Sequence, residues 1–280
     1  MYPVLIKIGG LTITTFGVMI ALAFLVGGWL TARELRRRGE NGEHAWDLAG
    51  YAAIAGILGA KIYYMILHWD ETSAAFGSAL VSRSGLVWYG GLIGGALAVL
   101  WRMRRLKVPV LKFGDAIAPG LAVGYAIGRV GCFLVGDDWG RPSNVAWAVK
   151  FPQGAPPSTA ANVRAFGVDV PSSVPANEVL AVHPTQLYET GMSLVIFAVL
   201  WRLRHRFRTT GTLWFTWVAL AGVERFIVEI FRAKDDRFFG PFSIAQLISV
   251  TMIVVGMATA TYLHRRAGQG DAVTGKVATA

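Results

Sequence analysis

Seven apolar runs, each of roughly the length that crosses a bilayer as a helix, constrain this chain more than any other feature. They lie near residues 12–32, 47–67, 86–102, 113–135, 186–202, 212–231 and 241–263. In hydrocarbon every backbone donor and acceptor has to be satisfied internally, which such runs can do only as helices. The 280 residues are 54% hydrophobic and 16% charged, whereas a water-soluble domain carries about 25% charge. The pattern predicts an all-α integral membrane protein of seven transmembrane helices.

The distribution of charge supplies an orientation. The net charge is +10, and the basic residues cluster in Arg33–Arg38, Arg102–Lys107, Arg202–Arg208 and Arg265–Arg266. These clusters follow the first, third, fifth and seventh runs, as cytoplasmic loops do. The N-terminus is then expected outside and the C-terminus in the cytoplasm. Clusters at the ends of separate spans do not make one basic surface, so no nucleic-acid partner is expected. Cys132 is the only cysteine, which excludes an internal disulfide. The first run lacks a basic leader and a small-residue cleavage site, so no cleavable signal peptide is expected. Residues 1–266 read as a single membrane domain. Two polar segments interrupt it on the outer side: a short arm or loop at 68–85, and a small extracytoplasmic head at 136–184. In the head, WAVKF (147–151) is a candidate strand, and residues 267–280 read as a disordered cytoplasmic tail.

Ionisable residues inside a membrane are costly and tend to be paired or functional. Lys61, Arg129, Arg225 and Glu229 fall within apolar runs. Arg225, Glu229 and Arg232 recur at helical spacing and share one face. One reading is internal salt-bridging that fixes helix register. The other is an anion site, since arginine offers a planar fork of donors that matches phosphate and stays charged when dry. For Lys61 a carboxylate partner or snorkelling suffices. A second constellation is HPTQLYE, with His183 near a helix start that Pro184 suits, followed by Thr185, Gln186 and Glu189. It can cap a helix, or it can exchange a proton through His183. A third is WYGGLIGG, where Tyr89 precedes glycines suited to close helix packing. Cys132 reads as inert packing more readily than as a nucleophile. Asp137 and Asp138 lack companion ligands at metal-site spacing. No metal and no cofactor is expected, and the usual hydrolase, metalloprotease and P-loop motifs are absent from the sequence.

In their order along a seven-span chain, YGGLIGG, GRVGCFLVGDDWGRP, HPTQLYE and ERFIVEIFR resemble the prolipoprotein diacylglyceryl transferase family. The likeness runs from about Gly85 to about Gln246. It implies transfer of diacylglycerol from phosphatidylglycerol to the lipobox cysteine of a prolipoprotein in the bacterial inner membrane, with a thioether formed and glycerol 1-phosphate released. Arg129 and Arg225 match the family's essential arginines, Gly140 its signature glycine, Asp137 the acidic residue of the preceding turn, and Glu229 and Arg232 the helix acid and following arginine. The implied catalytic set is Arg129, Arg225, His183 and Tyr89. The implied substrate contacts are Arg129, Arg225, Gly140, Asp137, Gln186, Glu189, Glu229 and Arg232. Three positions depart from the pattern: Tyr89 replaces a histidine proposed to assist the thiol, Cys132 an asparagine, and Ala221 a tyrosine. The competing classes are a transporter or lipid-binding protein with buried charges, a family member with an altered substrate, and an intramembrane protease, for which no nucleophile–base pair is recognisable. The partners implied are phosphatidylglycerol, the prolipoprotein signal peptide and membrane lipids. The sequence leaves the oligomeric state open.

Overall fold

The computed structural model describes residues 1–9, 11–74, 76–82, 85–207, 209–234, 237–239 and 242–277; beyond residue 266 it describes backbone only. The order is β1 (Val4–Ile8), β2 (Leu11–Thr14), α1 (Thr15–Arg37), α2 (Glu43–Leu67), α3 (Trp69–Ala74), α4 (Phe76–Val81), α5 (Trp88–Leu106), α6 (Val110–Val135), β3 (Val149–Lys150), α7 (Ala160–Ala165), β4 (Ala181–Val182), α8 (Thr185–Leu203), α9 (Thr212–Glu229), β5 (Arg237–Phe239), β6 (Phe242–Ser243) and α10 (Ile244–Val277). The fold is predominantly helical but not purely so, because three antiparallel strand pairs join β1 to β2, β3 to β4 and β5 to β6.

Among the described residues, α1, α2, α5, α6, α8, α9 and α10 have 18 residues or more. Four stretches, Thr15–Arg37, Glu43–Leu67, Val110–Val135 and Ile244–Arg266, are long and apolar enough to span a membrane. Arg102, Arg104 and Arg105 lower the mean hydropathy of α5, as Gln186 and Glu189 do in α8 and Glu224, Arg225 and Glu229 in α9. Along α2 the side chains of Ile54, Ile57, Leu58, Ile62 and Ile66 are 56–66% exposed. An apolar surface of that extent belongs against lipid rather than water.

The chain divides into two compact units, residues 28–116 and residues 1–27 with 117–280. In the first, α2 and α5 pack backbone to backbone. A Cβ on Gly59 would lie 2.4 Å from the Gly90 carbonyl oxygen, and one on Gly90 2.3 Å from the Gly59 carbonyl oxygen. Only glycine permits that approach. Lys61 is buried here and donates to the Ser82 carbonyl at 3.0 Å and the Ser82 hydroxyl at 2.8 Å. The arm expected at 68–85 contains the two short helices α3 and α4.

In the second unit the first half of α1 packs on α6, with Gly131 against Met19 and Gly124 against Ala23. Residues 136–184 carry their own small core of Trp139, Phe151, Val163 and Val182, which Ala233 completes. The buried Ser158 hydroxyl accepts from Phe151 N (3.0 Å) and donates to the Leu180 carbonyl (2.9 Å). The candidate strand at 147–151 contains β3, paired with β4 through Val149–Val182 and Lys150–Ala181. Pro184 stands at the N-cap of α8, one place earlier than the first-turn position the sequence suggested, and His183 precedes it. α10 runs on to Val277. The disorder expected for 267–280 concerns residues whose side chains lie outside the described set, as do residues 278–280 entirely.

Candidate active site

The polar residues of α6, α8 and α9 meet where α6 ends. Arg129 lies in the last two turns of α6, with its side chain 12% exposed. It faces Glu189 in the second turn of α8: Nη2 donates to Oε1 at 2.7 Å, and Nε lies 2.6 Å from Oε2. Tyr125, one turn earlier on α6, donates its hydroxyl to the same Glu189 at 2.8 Å. Its ring lies beneath the guanidinium, 5.3 Å from ring centre to Cζ, in a cation–π contact. The buried Glu189 is thus held by a cation and a hydroxyl together, as a carboxylate taken out of water has to be.

The chain then turns sharply. Gly136 adopts φ +77 and Asp138 φ +52, a left-handed conformation that aspartate tolerates better than most residues. The turn aims the Asp138 carboxylate back at Arg129, with Nη1 donating to Oδ2 at 2.9 Å. The other oxygen, Oδ1, accepts from Arg232 Nη2 at 3.2 Å. Arg232 Nε is 3.7 Å from Glu229 Oε2, and Arg225 Nη2 lies 2.6 Å from the same oxygen. Ser243 donates to the remaining Glu229 oxygen at 3.1 Å. The result is a string of alternating charge: Glu189, Arg129, Asp138, Arg232, Glu229, Arg225. Of the Arg225 nitrogens, Nη1 is buried and has no hydrogen-bond partner among the described residues. A guanidinium donor of this kind is suited to an anion.

Gly140 holds the turn to the rest of the site. Its N–H donates to the His183 carbonyl at 2.8 Å, and it bridges to Arg232. A Cβ there would lie 2.5 Å from the Phe231 carbonyl oxygen, 2.8 Å from Thr185 and 2.9 Å from His183. Thr185 donates to the Asp138 carbonyl at 2.6 Å, and Gln186 donates to the Asp137 carbonyl. The first turn of α8 therefore fixes the acidic turn by its backbone.

The sequence assigned the acidic role to Asp137, but Asp138 makes the ion pairs. The Asp137 Oδ1 atom is buried and has no hydrogen-bond partner among the described residues, and burial, with Asp138 adding to it, pushes its carboxyl above the usual range. Burial also acts against Asp138, yet Arg232 and Arg129 outweigh it and hold that carboxyl below the usual range. Arg141 Nε donates to the Arg232 carbonyl at 3.0 Å. Arg232 lies beyond the end of α9 rather than on it, and still reaches Glu229.

His183 sits at the edge of this site between the rings of Phe231 (5.1 Å) and Tyr188 (5.9 Å). Its Nδ1 is 2.9 Å from the Tyr188 hydroxyl, which also accepts the Trp147 indole N–H at 2.7 Å. Burial pushes the His183 pKa below its usual value, so the ring is neutral at pH 7. Tyr89 belongs to the other unit, in the first turn of α5, 61% exposed and edge-on to Trp88. Cys132 is buried, with Sγ 3.5 Å from Arg129 Nη1. The Ser193 hydroxyl donates to Glu224 at 2.7 Å on the facing sides of α8 and α9. Tyr125, Tyr188, Trp147, Ser243 and Glu224 were not singled out from sequence. No group of three His, Cys, Asp or Glu suited to a metal occurs among the described residues.

Comparison with known proteins agrees with this geometry. The family model described as prolipoprotein diacylglyceryl transferase matches residues 3–262. Relatives called phosphatidylglycerol–prolipoprotein diacylglyceryl transferase occur in Trichormus variabilis (33% identical, covering 94% of this chain and 90% of the relative) and Geobacter sulfurreducens (30%, covering 94% and 96%). Another, from Clostridium tetani, is 31% identical over 92% of this chain and 96% of its own length. With the match running through both arginines, the acidic turn and the start of α8, the chain belongs to the prolipoprotein diacylglyceryl transferase family.

Proposed function

We propose that this chain transfers the diacylglyceryl group of phosphatidylglycerol to the lipobox cysteine of a prolipoprotein, at the outer face of the bacterial cytoplasmic membrane. The observation that carries the reading is the charge string ending on Arg225, whose buried Nη1 has no hydrogen-bond partner among the described residues. The substrate thiol attacks the glycerol carbon that bears the phosphate. A C–S bond forms, the C–O bond breaks, and glycerol 1-phosphate leaves with the bonding pair. Negative charge therefore grows on the leaving phosphate. Fixed cationic donors in a water-poor site stabilise that growth without reorganising, and Arg129 and Arg225 are those donors in this reading. Glu189 and Glu229 hold the two guanidiniums in position. Gln186, Gly140 and Asp137 shape the turn beside them.

The thiol has to lose its proton, because the thiolate is the nucleophile. His183 takes it in this proposal. Tyr188 engages Nδ1, which leaves Nε2 for the incoming thiol. For Nε2 to accept, Nδ1 carries the resting proton and donates it to Tyr188, whose oxygen then accepts from both His183 and Trp147. Tyr89 is the alternative base; a neutral imidazole takes up a proton near neutrality more readily than a phenol hydroxyl does.

All seven long helices span the membrane in this reading, with the N-terminus and residues 136–184 outside and the C-terminus in the cytoplasm. Alternation of the basic clusters supports that orientation. The function is tested by thioether formation on a lipobox peptide with phosphatidylglycerol and purified protein; an Arg225→Ala protein that retains full activity would remove the anion site. For orientation, Ser172→Cys in a Cys132→Ser background should react with an impermeant maleimide on intact spheroplasts. Labelling only after the cytoplasmic face is opened would reverse the topology.

A further inference from the structure

The three carboxylates of the charge string differ in how firmly they are held. Glu189 is 1% exposed and is gripped by Arg129 and Tyr125. Glu229 is 4% exposed and is gripped by Arg225 and Ser243. The Asp138 side chain is 42% exposed, and Arg129 and Arg232 are its ion-pair partners among the described residues. Each of its oxygens serves one arginine, Oδ2 at 2.9 Å from Arg129 and Oδ1 at 3.2 Å from Arg232. Two oxygens on one centre, spread between two guanidiniums, is also how a phosphate group is gripped. The carboxylate is thus the one member of the string that can swing toward solvent while its neighbours stay fixed.

We propose that Asp138 is an internal stand-in for the phosphate, seated between Arg129 and Arg232 whenever no phosphoryl group is there. The proposal rests on the anion site described above and adds Arg232 to the groups that grip the lipid. Between turnovers the stand-in engages Arg129 Nη1 and Arg232 Nη2, the donors that Glu189 and Glu229 do not take. During turnover it competes with the phosphate. The donor lipid has to displace it, and after transfer its return helps expel glycerol 1-phosphate, whose higher charge would otherwise hold it to the arginines.

Asp138→Asn keeps the shape and removes the charge, whereas Asp138→Glu keeps the charge. The test is inhibition of transfer by glycerol 1-phosphate, together with the KM for phosphatidylglycerol in mixed micelles. In the Asn variant both the inhibition constant and the KM should fall, by roughly tenfold for loss of one competing charge, while the Glu variant, which keeps the charge, should show no such fall. Unchanged or higher values in the Asn variant would overturn the proposal and make Asp138 scaffolding. If the Asn variant transfers too slowly to assay, direct binding of glycerol 1-phosphate to the purified protein, followed by ³¹P NMR, decides by the same criterion. Failure of the underlying anion site gives a different result: wild type neither bound nor inhibited by glycerol 1-phosphate, and no need for Arg225. That outcome removes both readings together.

Discussion

The α2–α5 pair and the α6–α8–α9 site are made from helices of similar apolar character and solve opposite problems. Between α2 and α5, glycines bring two backbones so close that a methyl group on Gly90 would overlap a carbonyl oxygen at 2.3 Å. Nothing can enter there. Around Arg129, long polar side chains hold the helices through ion pairs, and part of the surface, the 42% exposed Asp138 and the 33% exposed Arg225, stays reachable. A membrane helix gains nothing from burying leucine against leucine when lipid is as apolar as its neighbour. It therefore associates either by shape or by polar contacts, and only the polar solution leaves groups that a substrate can use.

If that division is real, changes in the glycine seam should alter stability and leave chemistry alone, and changes in the polar site should do the reverse. The largest effect is expected for Arg225→Ala. Loss of a preorganised donor costs about 2.7–4 kcal/mol, or roughly 10²–10³ in turnover, with thermal unfolding in detergent near wild type. Lysine should rescue poorly because it lacks the fork. A large drop in melting temperature with Arg225→Ala would move that residue into the structural class.

His183→Gln comes next, about 10² in rate at pH 7. In wild type, burial lowers the His183 pKa, so the neutral base forms as pH rises through a value below the usual 6.5; kcat/KM should rise through that range and level off near neutrality. The variant should lose that limb and recover in part at alkaline pH, where the thiol ionises unaided. Near-normal rates from pH 6 to 9 would make His183 only part of the helix start. Gly90→Val tests the other side of the comparison. Overpacking typically costs about 1–3 kcal/mol, so a lower melting temperature with unchanged turnover per folded molecule is expected. The smallest effects belong to the aromatic supports. Tyr188→Phe removes the hydroxyl that serves both His183 and Trp147, each hydrogen bond worth about 1 kcal/mol, and should lower the rate several-fold and distort the pH profile. Tyr89→Phe should change less than that, and an inactive Tyr89→Phe protein would transfer the role of base to it.

The two halves of the comparison were not equally legible in sequence. Arg129, Arg225 and Glu229 were conspicuous because a charge inside an apolar run has few reasons to be there. The glycine pairs of WYGGLIGG pointed to close packing for the same kind of reason. The ion pairs of Asp138 were not legible because adjacent identical residues differ only in backbone conformation, and the left-handed φ that aims one of them at Arg129 leaves no mark in composition. Tyr125 and Tyr188 were missed because a tyrosine near a membrane surface already has an adequate explanation as an interfacial anchor. The β1–β2 hairpin does leave a mark, since VLIKI and LTIT flank a Gly-Gly pair, a recognised hairpin signal; its second strand runs into the apolar stretch of α1, so the two elements share one hydrophobic run.

Gly140 carries one more consequence, and it concerns time. Its turn closes on the carbonyl of Phe231, and the neighbouring Arg141 reaches Arg232, 91 residues further along the chain. A ribosome adding about 5–20 residues per second needs several seconds to make that stretch. Until α9 has been made and threaded, the segment after α6 can pair with residues 181–183 but not with Phe231 and Arg232, and Asp138 has no Arg232. The anion site is thus among the last features of this protein to exist, and a nascent chain halted before α9 holds Arg129 and Glu189 without a seat for phosphate.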